Sequence, residues 1–261
     1  MKRYVMIGSP VTTVRTPPLL EGFLAERGVE ARVEVREVRP DGLAAFMAGA
    51  VADRTVDGLM VTMPHKRAII PHLAAISRVA ARAGSVNAAK RLPDGALVGA
   101  QFDGVALVNA LTTAGVPLAS VRILLAGAGG AGLAIAQAIV AHGCAGLAIA
   151  ERDVALLERT VADLRDESGC PVAIFDEAAD GAFDVLVNAT PLGMQAGDPS
   201  PFAPDLVARA RWVADIVADP PRTRLAASAA EVGLPVITGR DMVRGQIAPI
   251  GGWLLADGVE Q

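Results

Sequence analysis

The stretch Ile123–Ala150 constrains the fold more than any other part of the chain. An apolar strand runs into Gly127-Ala128-Gly129-Gly130-Ala131-Gly132, then an apolar helix, then a second apolar strand that ends at Glu151. In such a strand–turn–helix the first glycine permits the tight turn and the second lets the backbone approach a pyrophosphate. The third allows the helix to pack on the strand, while the helix N-terminus favours negative charge. Glu151 follows Gly132 by 19 residues, close to the ~20 at which a carboxylate meets the ribose hydroxyls. Gly127, Gly129, Gly130, Ala131 and Gly132 are therefore candidate contacts of a dinucleotide pyrophosphate, and Glu151 of its ribose. The same 28 residues carry no Asp, Glu, Lys or Arg, which admits a reading as a membrane span. Six glycines, four of them within six positions, would break such a helix near its start, and no cluster of basic residues flanks it and no second span accompanies it.

With 261 residues, 52% apolar and 20% charged, the chain is long enough for two globular domains. A net charge of −4 argues against a nucleic-acid surface, which needs clustered Lys and Arg, so a small-molecule partner is expected. Cys144 and Cys170 lie in no metal-ligand spacing, and two thiols make no disulfide scaffold; both are expected to be buried or incidental. Basic residues precede a short apolar run at the N-terminus, but Gly8 and Pro10 interrupt it. It reads as a first strand and not as a signal peptide. With no span and no lipid motif expected, the predicted compartment is the cytoplasm and no membrane partner is expected.

Strand-like and helix-like segments alternate along the first hundred residues. Strands are predicted at Tyr4–Ile7, Ala31–Val38 and Gly58–Thr62, with helices from about Pro18 to Arg27, Asp41 to Ala52 and Lys66 to Ala81. Strands around Ser85–Arg91 and Ala96–Ala100 flank the turn Pro93-Asp94-Gly95, and a helix from Asp103 to Ala114 leads into the glycine unit. Beyond Glu151 the pattern predicts a helix to about Asp166, strands at Val172–Phe175, Val185–Asn188, Trp212–Asp215 and Val236–Ile237, and a helix at Thr223–Val232. The C-terminal segment from Arg240 is helical in period but is expected to be interrupted by Pro249 and Gly251-Gly252. The fold class is α/β: an N-terminal substrate-binding domain over residues 1–104, a Rossmann-type doubly wound dinucleotide-binding domain over 105–238, and a segment 239–261 returning to the first domain.

Outside the glycine unit the densest chemistry is Val61-Thr62-Met63-Pro64-His65-Lys66, where a buried strand ends and a lysine opens the next helix. A lysine in a first turn opposes the helix dipole, which suits a proton-transfer role better than a structural one; the plain alternative is a solvated surface lysine. Asp103 stands where a strand gives way to a helix, a place for an N-cap as well as for catalysis. His65 has no orienting carboxylate in sequence and reads as incidental. No Ser-His-Asp order, HExxH or phosphate-loop lysine appears, so hydrolase and kinase readings have no anchor.

Taken together, the segments resemble the shikimate and quinate dehydrogenase family over nearly the whole chain. The resemblance rests on Gly8-Ser9-Pro10-Val11, Thr16-Pro17, Val61 to Lys66, Ala83-Gly84-Ser85-Val86-Asn87, Asp103-Gly104 and the glycine block. It continues through Asn188-Ala189-Thr190-Pro191-Leu192-Gly193-Met194, Asp215 through Pro220 to Thr223 and Leu225, then Gly239, Met242, Gln246 and Trp253. It implies hydride transfer between NAD or NADP, bound by the middle domain, and a cyclic hydroxy acid bound by the first. By the same resemblance Lys66 and Asp103 form the catalytic pair, and Thr16, Thr62, Asn87 and Gln246 match substrate contacts. Thr190, Ile216, Gly239 and Met242 match positions near the cofactor.

The departures fall where the substrate is chosen. The family's Ser-x-Ser before the proline is Val14-Arg15-Thr16 here, its Asn-Thr-Asp is Gln101-Phe102-Asp103, and the tyrosine expected after the Asp215 strand is Ala218. A hydrogen bond to an anion, worth about 1.5–3 kcal/mol, is lost at Val14, and Arg15 either restores it or points to solvent. Where NADP-using relatives carry Asn-Arg-Thr, this chain has Glu151-Arg152-Asp153. Two carboxylates beside the ribose repel a 2′-phosphate, so NAD is favoured, with Arg152 keeping NADP open. The expected activity is reversible oxidation of a shikimate- or quinate-like secondary alcohol by a monomer or homodimer. The competing readings are the same chemistry on another ring acid, such as an amino-substituted relative, and a nucleotide-binding sensor with weak catalysis.

Overall fold

The computed structural model describes residues 1–11, 15–165, 170–177 and 181–260; Val14 lies outside them. The chain folds into two compact units, Met1–Asp103 with Gln246–Gln261, and Gly104–Gly245. Where the sequence reading divides the chain at residue 239, this division falls after Gly245.

The first unit begins with β1 (Lys2–Gly8), α1 (Thr16–Ala25, opened by Pro17 and Pro18), β2 (Ala31–Glu37), α2 (Leu43–Ala52) and β3 (Gly58–Val61). It continues with α3 (His65–Ala68), β4 (Ala75–Ile76), α4 (Arg78–Ala83) and the antiparallel pair β5 (Ala88–Arg91) and β6 (Leu97–Ala100). The sheet order is β2-β1-β3-β5-β6-β4, parallel on one side and antiparallel from β3 through β6. Val5, Ile7, Leu59, Val61, Leu43, Met47 and Ile69 form its core.

The helix expected from Lys66 to Ala81 is instead α3, a 3₁₀ turn at Ile70–His72, β4 and α4. Pro71 has no N–H with which to continue α3. Beyond it the backbone pairs with β6: Ala74 N–H donates to Leu97 O and Ser77 N–H to Gly99 O, both at 2.8 Å. Ser77 Oγ then caps α4 by accepting from Ala80 N–H, and Gly84, at φ +57°, ends it.

In the second unit, α5 (Asp103–Thr113, its first residue contributed by the first unit) precedes β7 (Arg122–Ala126), α6 (Gly130–His142), β8 (Gly146–Ala150) and α7 (Val154–Arg165). Next come β9 (Val172–Ile174), β10 (Val185–Asn188), α8 (Pro204–Arg209), β11 (Trp212–Asp215), α9 (Arg224–Glu231) and β12 (Val236–Thr238). The all-parallel order β12-β11-β10-β7-β8-β9 is that of a dinucleotide-binding sheet wound from the glycine strand. Ile123 and Leu125 pack into one buried cluster and Leu124 into another, so both sheet faces are covered. That is why the strand reads as continuously apolar. The sequence reading places no element at α8, although Pro204 followed by Asp205 is a helix-start signal.

Cys144 and Cys170, expected to be buried or incidental, are buried and bonded to each other, which the sequence reading did not expect. They precede the neighbouring parallel strands β8 and β9, which brings their Cα atoms to 5.8 Å, inside the range a disulfide spans. Among the described residues no helix is long and apolar enough to cross a membrane.

The last helix, α10 (Gly239–Leu255), runs unbroken through Pro249 and both glycines, contrary to expectation. Pro249 leaves the carbonyl of Gly245 without its helical donor, and Asn109 Nδ2 donates to that carbonyl at 3.0 Å. At Gly251 any side chain would strike the Phe23 ring of α1, so the glycine permits that contact and does not break the helix. The buried Lys90 closes the far end: its Nζ donates to Trp253 O at 2.7 Å and Ala256 O at 2.8 Å, and sits 4.4 Å from the Trp253 ring centroid. Burial pushes its pKa down, and the charge of Asp257 partly opposes that. Removing these donors leaves two last-turn carbonyls short of partners, so Lys90→Met should lower the unfolding free energy by about 1–3 kcal/mol in urea titration. An unchanged midpoint would mean that the ammonium contributes nothing net.

Candidate active site

In the first unit, β3 ends at Val61 and the chain turns through Pro64 to place Lys66 in the first turn of α3. The turn is held by Thr62 N–H donating to Ile7 O (2.9 Å) and His65 N–H to Thr62 O (3.0 Å). His65 is buried, and its Nε2 contacts Val38 O at 2.5 Å, so it ties the turn to the end of β2. Lys66 Nζ donates to Asp103 Oδ2 at 2.6 Å, with the lysine side chain 22% exposed and the aspartate 5%. The alternative of a solvated surface lysine does not describe this side chain.

Asp103 is fixed from several sides. Its Oδ1 accepts from Asn87 Nδ2 at 3.0 Å, and its N–H donates to Gln101 Oε1 at 2.8 Å. Gln101 Nε2 in turn donates to Ser85 Oγ at 2.7 Å, and Asn87 Oδ1 accepts from Phe102 N–H at 2.9 Å. Among the described residues the carboxylate's partners are Lys66 and Asn87 and not the N–H groups of the first turn of α5, although the sequence also allows an N-cap. Sequence reasoning does not single out Gln101 and Ser85 as support for Asp103; two polar side chains near an acid were the available signal. Phe102 is buried and meets Trp253 edge-on at 5.6 Å between centroids, so the family's threonine position faces the interior of this unit. Gln246 Nε2 reaches Thr16 Oγ1 at 3.4 Å, bringing two more of the predicted contacts together, while Arg15 is exposed.

In the second unit, Gly127 turns out of β7 at φ +99° and Gly129 caps α6. A Cβ on Gly132 would run into the Gly127 carbonyl, whereas one on Gly129 would meet nothing within 4 Å. The turn is thus tight on its protein side and open at Gly129, next to the N-terminus of a 13-residue helix, which fits a pyrophosphate. Glu151 Oε2 accepts from Ala128 N–H at 2.8 Å, and Oε1 accepts from Arg152 N–H at 2.7 Å and Asp153 N–H at 3.2 Å. Burial raises its carboxyl pKa, but these three donors and the Arg152 charge outweigh burial and hold it below the usual value. An ionised acceptor at the end of β8, tied to the glycine turn itself, fits a ribose.

On the other side of β7, at the end of β10, Thr190 N–H and Oγ1 both donate to Asn188 Oδ1, at 3.0 and 2.6 Å. Ile216 N–H donates to Asn188 O at 3.1 Å. Gly239 backs onto this loop, where a Cβ would lie 2.6 Å from Ile216 O, and Met242 is buried in the core of the unit.

A doubly wound dinucleotide sheet in one unit and a part-buried lysine–carboxylate pair in the other define a class: nicotinamide-dependent oxidoreductases acting on a CH–OH group. Residues 6–89 match the family model of the shikimate dehydrogenase substrate binding domain. A shikimate dehydrogenase (NADP+) of Moorella thermoacetica is 34% identical over 246 residues, covering 91% of this chain and 82% of the relative. Among solved structures, an Ael1 enzyme from Pseudomonas putida gives a TM-score of 0.86 at 26% identity, over 98% of this chain and 93% of that one. Quinate dehydrogenase from Corynebacterium glutamicum in complex with NAD gives 0.80 at 26% identity, over 97% and 93%. The chain belongs to the shikimate dehydrogenase family.

Proposed function

We propose that this protein reversibly oxidises a secondary alcohol of a shikimate- or quinate-like cyclic hydroxy acid, as a cytoplasmic enzyme with NAD as its preferred cofactor. The observation that carries this reading is the 2.6 Å pair between Lys66 Nζ and Asp103 Oδ2, in a chain whose other unit has the dinucleotide turn. When bound, the nicotinamide ring supplies the hydride acceptor or donor. In the oxidation direction Lys66 Nζ, as the free amine, takes the hydroxyl proton and becomes the ammonium; in reduction the ammonium gives that proton back, and it stabilises negative charge on the reacting oxygen. Asp103, held by Asn87, fixes the ammonium and accepts from a neighbouring substrate hydroxyl. Thr16, Thr62, Asn87 and Gln246 hold the remaining ring substituents, and Thr190, Ile216, Gly239 and Met242 border the nicotinamide.

The preference for NAD rests on Glu151. Its carboxylate is held at the end of β8 by Ala128, Arg152 and Asp153, where a 2′-phosphate would meet like charge. Glu151→Asn should move the ratio of kcat/KM for NADP over NAD upward by about tenfold, the scale of relieving one close repulsion of about 1–4 kcal/mol. A ratio that stays put, or a wild-type preference for NADP, would count against this assignment.

One observation favours a second substrate reading: Phe102 is turned inward and brings no hydroxyl to the site. With a valine at position 14 and an alanine at position 218, this suits a ring acid with altered substituents, such as an amino-substituted relative. A panel of shikimate, quinate and amino-substituted analogues, followed by absorbance of reduced nicotinamide, separates the two. The first reading predicts efficient turnover of shikimate or quinate, and the second predicts turnover of the analogues alone. Cofactor binding with no turnover anywhere would leave neither standing.

A further inference from the structure

We propose that Asp215 is a positioning residue for the nicotinamide half of the cofactor, its buried carboxylate clasping the ends of β10 and β11 and so setting the loops 190–192 and 216–218. The inference rests on the nicotinamide reading above and goes beyond it by assigning a role to a residue that reading does not use.

Asp215 is 2% exposed. Its Oδ1 accepts from Asn188 Nδ2 at 3.0 Å and Val217 N–H at 3.1 Å, and its Oδ2 accepts from Thr223 Oγ1 at 2.5 Å. Asn188 is fully buried and passes the constraint on: its amide also donates to Leu192 O at 2.9 Å, and its Oδ1 accepts both donors of Thr190. Thr190 Oγ1 completes the turn by accepting from Leu192 N–H at 3.1 Å. One carboxylate thus fixes the backbone leaving β10, the backbone leaving β11 and the N-cap of α9.

Strand order says what these loops serve. β10 and β11 lie on one side of β7, and β8, with Glu151 at its end, on the other. A dinucleotide with its pyrophosphate on the β7–α6 turn and one ribose at Glu151 lays its second nucleotide over β10 and β11.

Every donor to Asp215 is neutral. Burial raises its pKa, and the bonds from Thr223, Val217 and Asn188 offset this only in part. For an acid raised in this way, the stabilisation belongs to the protonated form and is lost as pH rises through the folded pKa. The clasp therefore works by geometry and not by charge, and an amide keeps it: Asn at this position still accepts from Asn188 and Val217 and donates to Thr223 Oγ1.

The test is calorimetric titration of the full chain with NAD and with ADP, which has the adenosine and pyrophosphate but lacks the second nucleotide. Asp215→Ala should weaken NAD binding by about tenfold or more while leaving ADP within about twofold, and Asp215→Asn should keep both near wild type. Should Asp215→Ala lose ADP binding along with its unfolding midpoint, Asn188→Ala takes its place under the same criteria. NAD affinity unchanged in the folded variant, or a tenfold loss in Asp215→Asn, overturns the proposal. A wild-type chain that binds neither ligand overturns the cofactor reading instead.

Discussion

Lys66→Ala should lower kcat by about 10²–10⁴, the usual range for loss of a positioned proton-transfer group, while leaving NAD affinity unchanged. Lys66 Nζ is the cation that touches Asp103 Oδ2, and no other salt bridge to that carboxylate occurs among the described residues. Asp103→Asn is expected to fall by a similar factor for a different reason: the ammonium loses the anion that fixes it, although Asn87 keeps an acceptor at the site. If the two act as one unit, the double variant will be little worse than either single one. Steady-state kinetics on all three variants measures this. Full multiplicativity of the two losses, or a kcat within threefold of wild type for Lys66→Ala, would remove the pair from the chemistry.

The second large effect separates two glycines three residues apart. A Cβ on Gly132 lands on the Gly127 carbonyl, so Gly132→Ala must push the turn and α6 apart and should cost about 1–3 kcal/mol of stability together with most cofactor binding. Gly129 has φ −65° and open space around its Cβ direction. Gly129→Ala should therefore fold within about 1 kcal/mol of wild type, the unfolded-state entropy gain being set against the loss of a favoured N-cap glycine, and still bind NAD at least tenfold more weakly, because the methyl stands where the pyrophosphate approaches. Urea unfolding and NAD titration on both variants check this. Equal NAD affinity in Gly129→Ala and wild type would place the phosphates elsewhere.

Much of the second unit is legible in the sequence because its constraints are local. An uncharged strand–turn–helix–strand with glycines at fixed spacing has one economical packing, and the strands Val185–Asn188 and Trp212–Asp215 stand at their sequence-read bounds. The stretch after Lys66 misleads because its helical alanines compete with the edge of β6, and that partner lies some twenty residues away in sequence. Pro249 misleads for a similar reason: the donor that replaces the lost helical bond, Asn109, comes from another helix. In the site, Lys66 and Asp103 stand out as residue types, but their contact spans 37 positions. The brace of Gln101, Ser85 and Asn87 behind Asp103, like the clasp around Asp215, is made of ordinary polar residues whose meaning comes only from burial. The cysteine pair likewise depends on two strands being neighbours.

Isotopic labelling follows the transferred hydrogen itself. Shikimate or quinate carrying deuterium at the carbinol carbon, incubated with the protein and oxidised nicotinamide cofactor, should yield reduced cofactor containing one deuterium per turnover and none released to water. Loss of the label to solvent during turnover, or product formed without labelled reduced cofactor, would contradict hydride transfer between a ring alcohol and nicotinamide as the function of this protein.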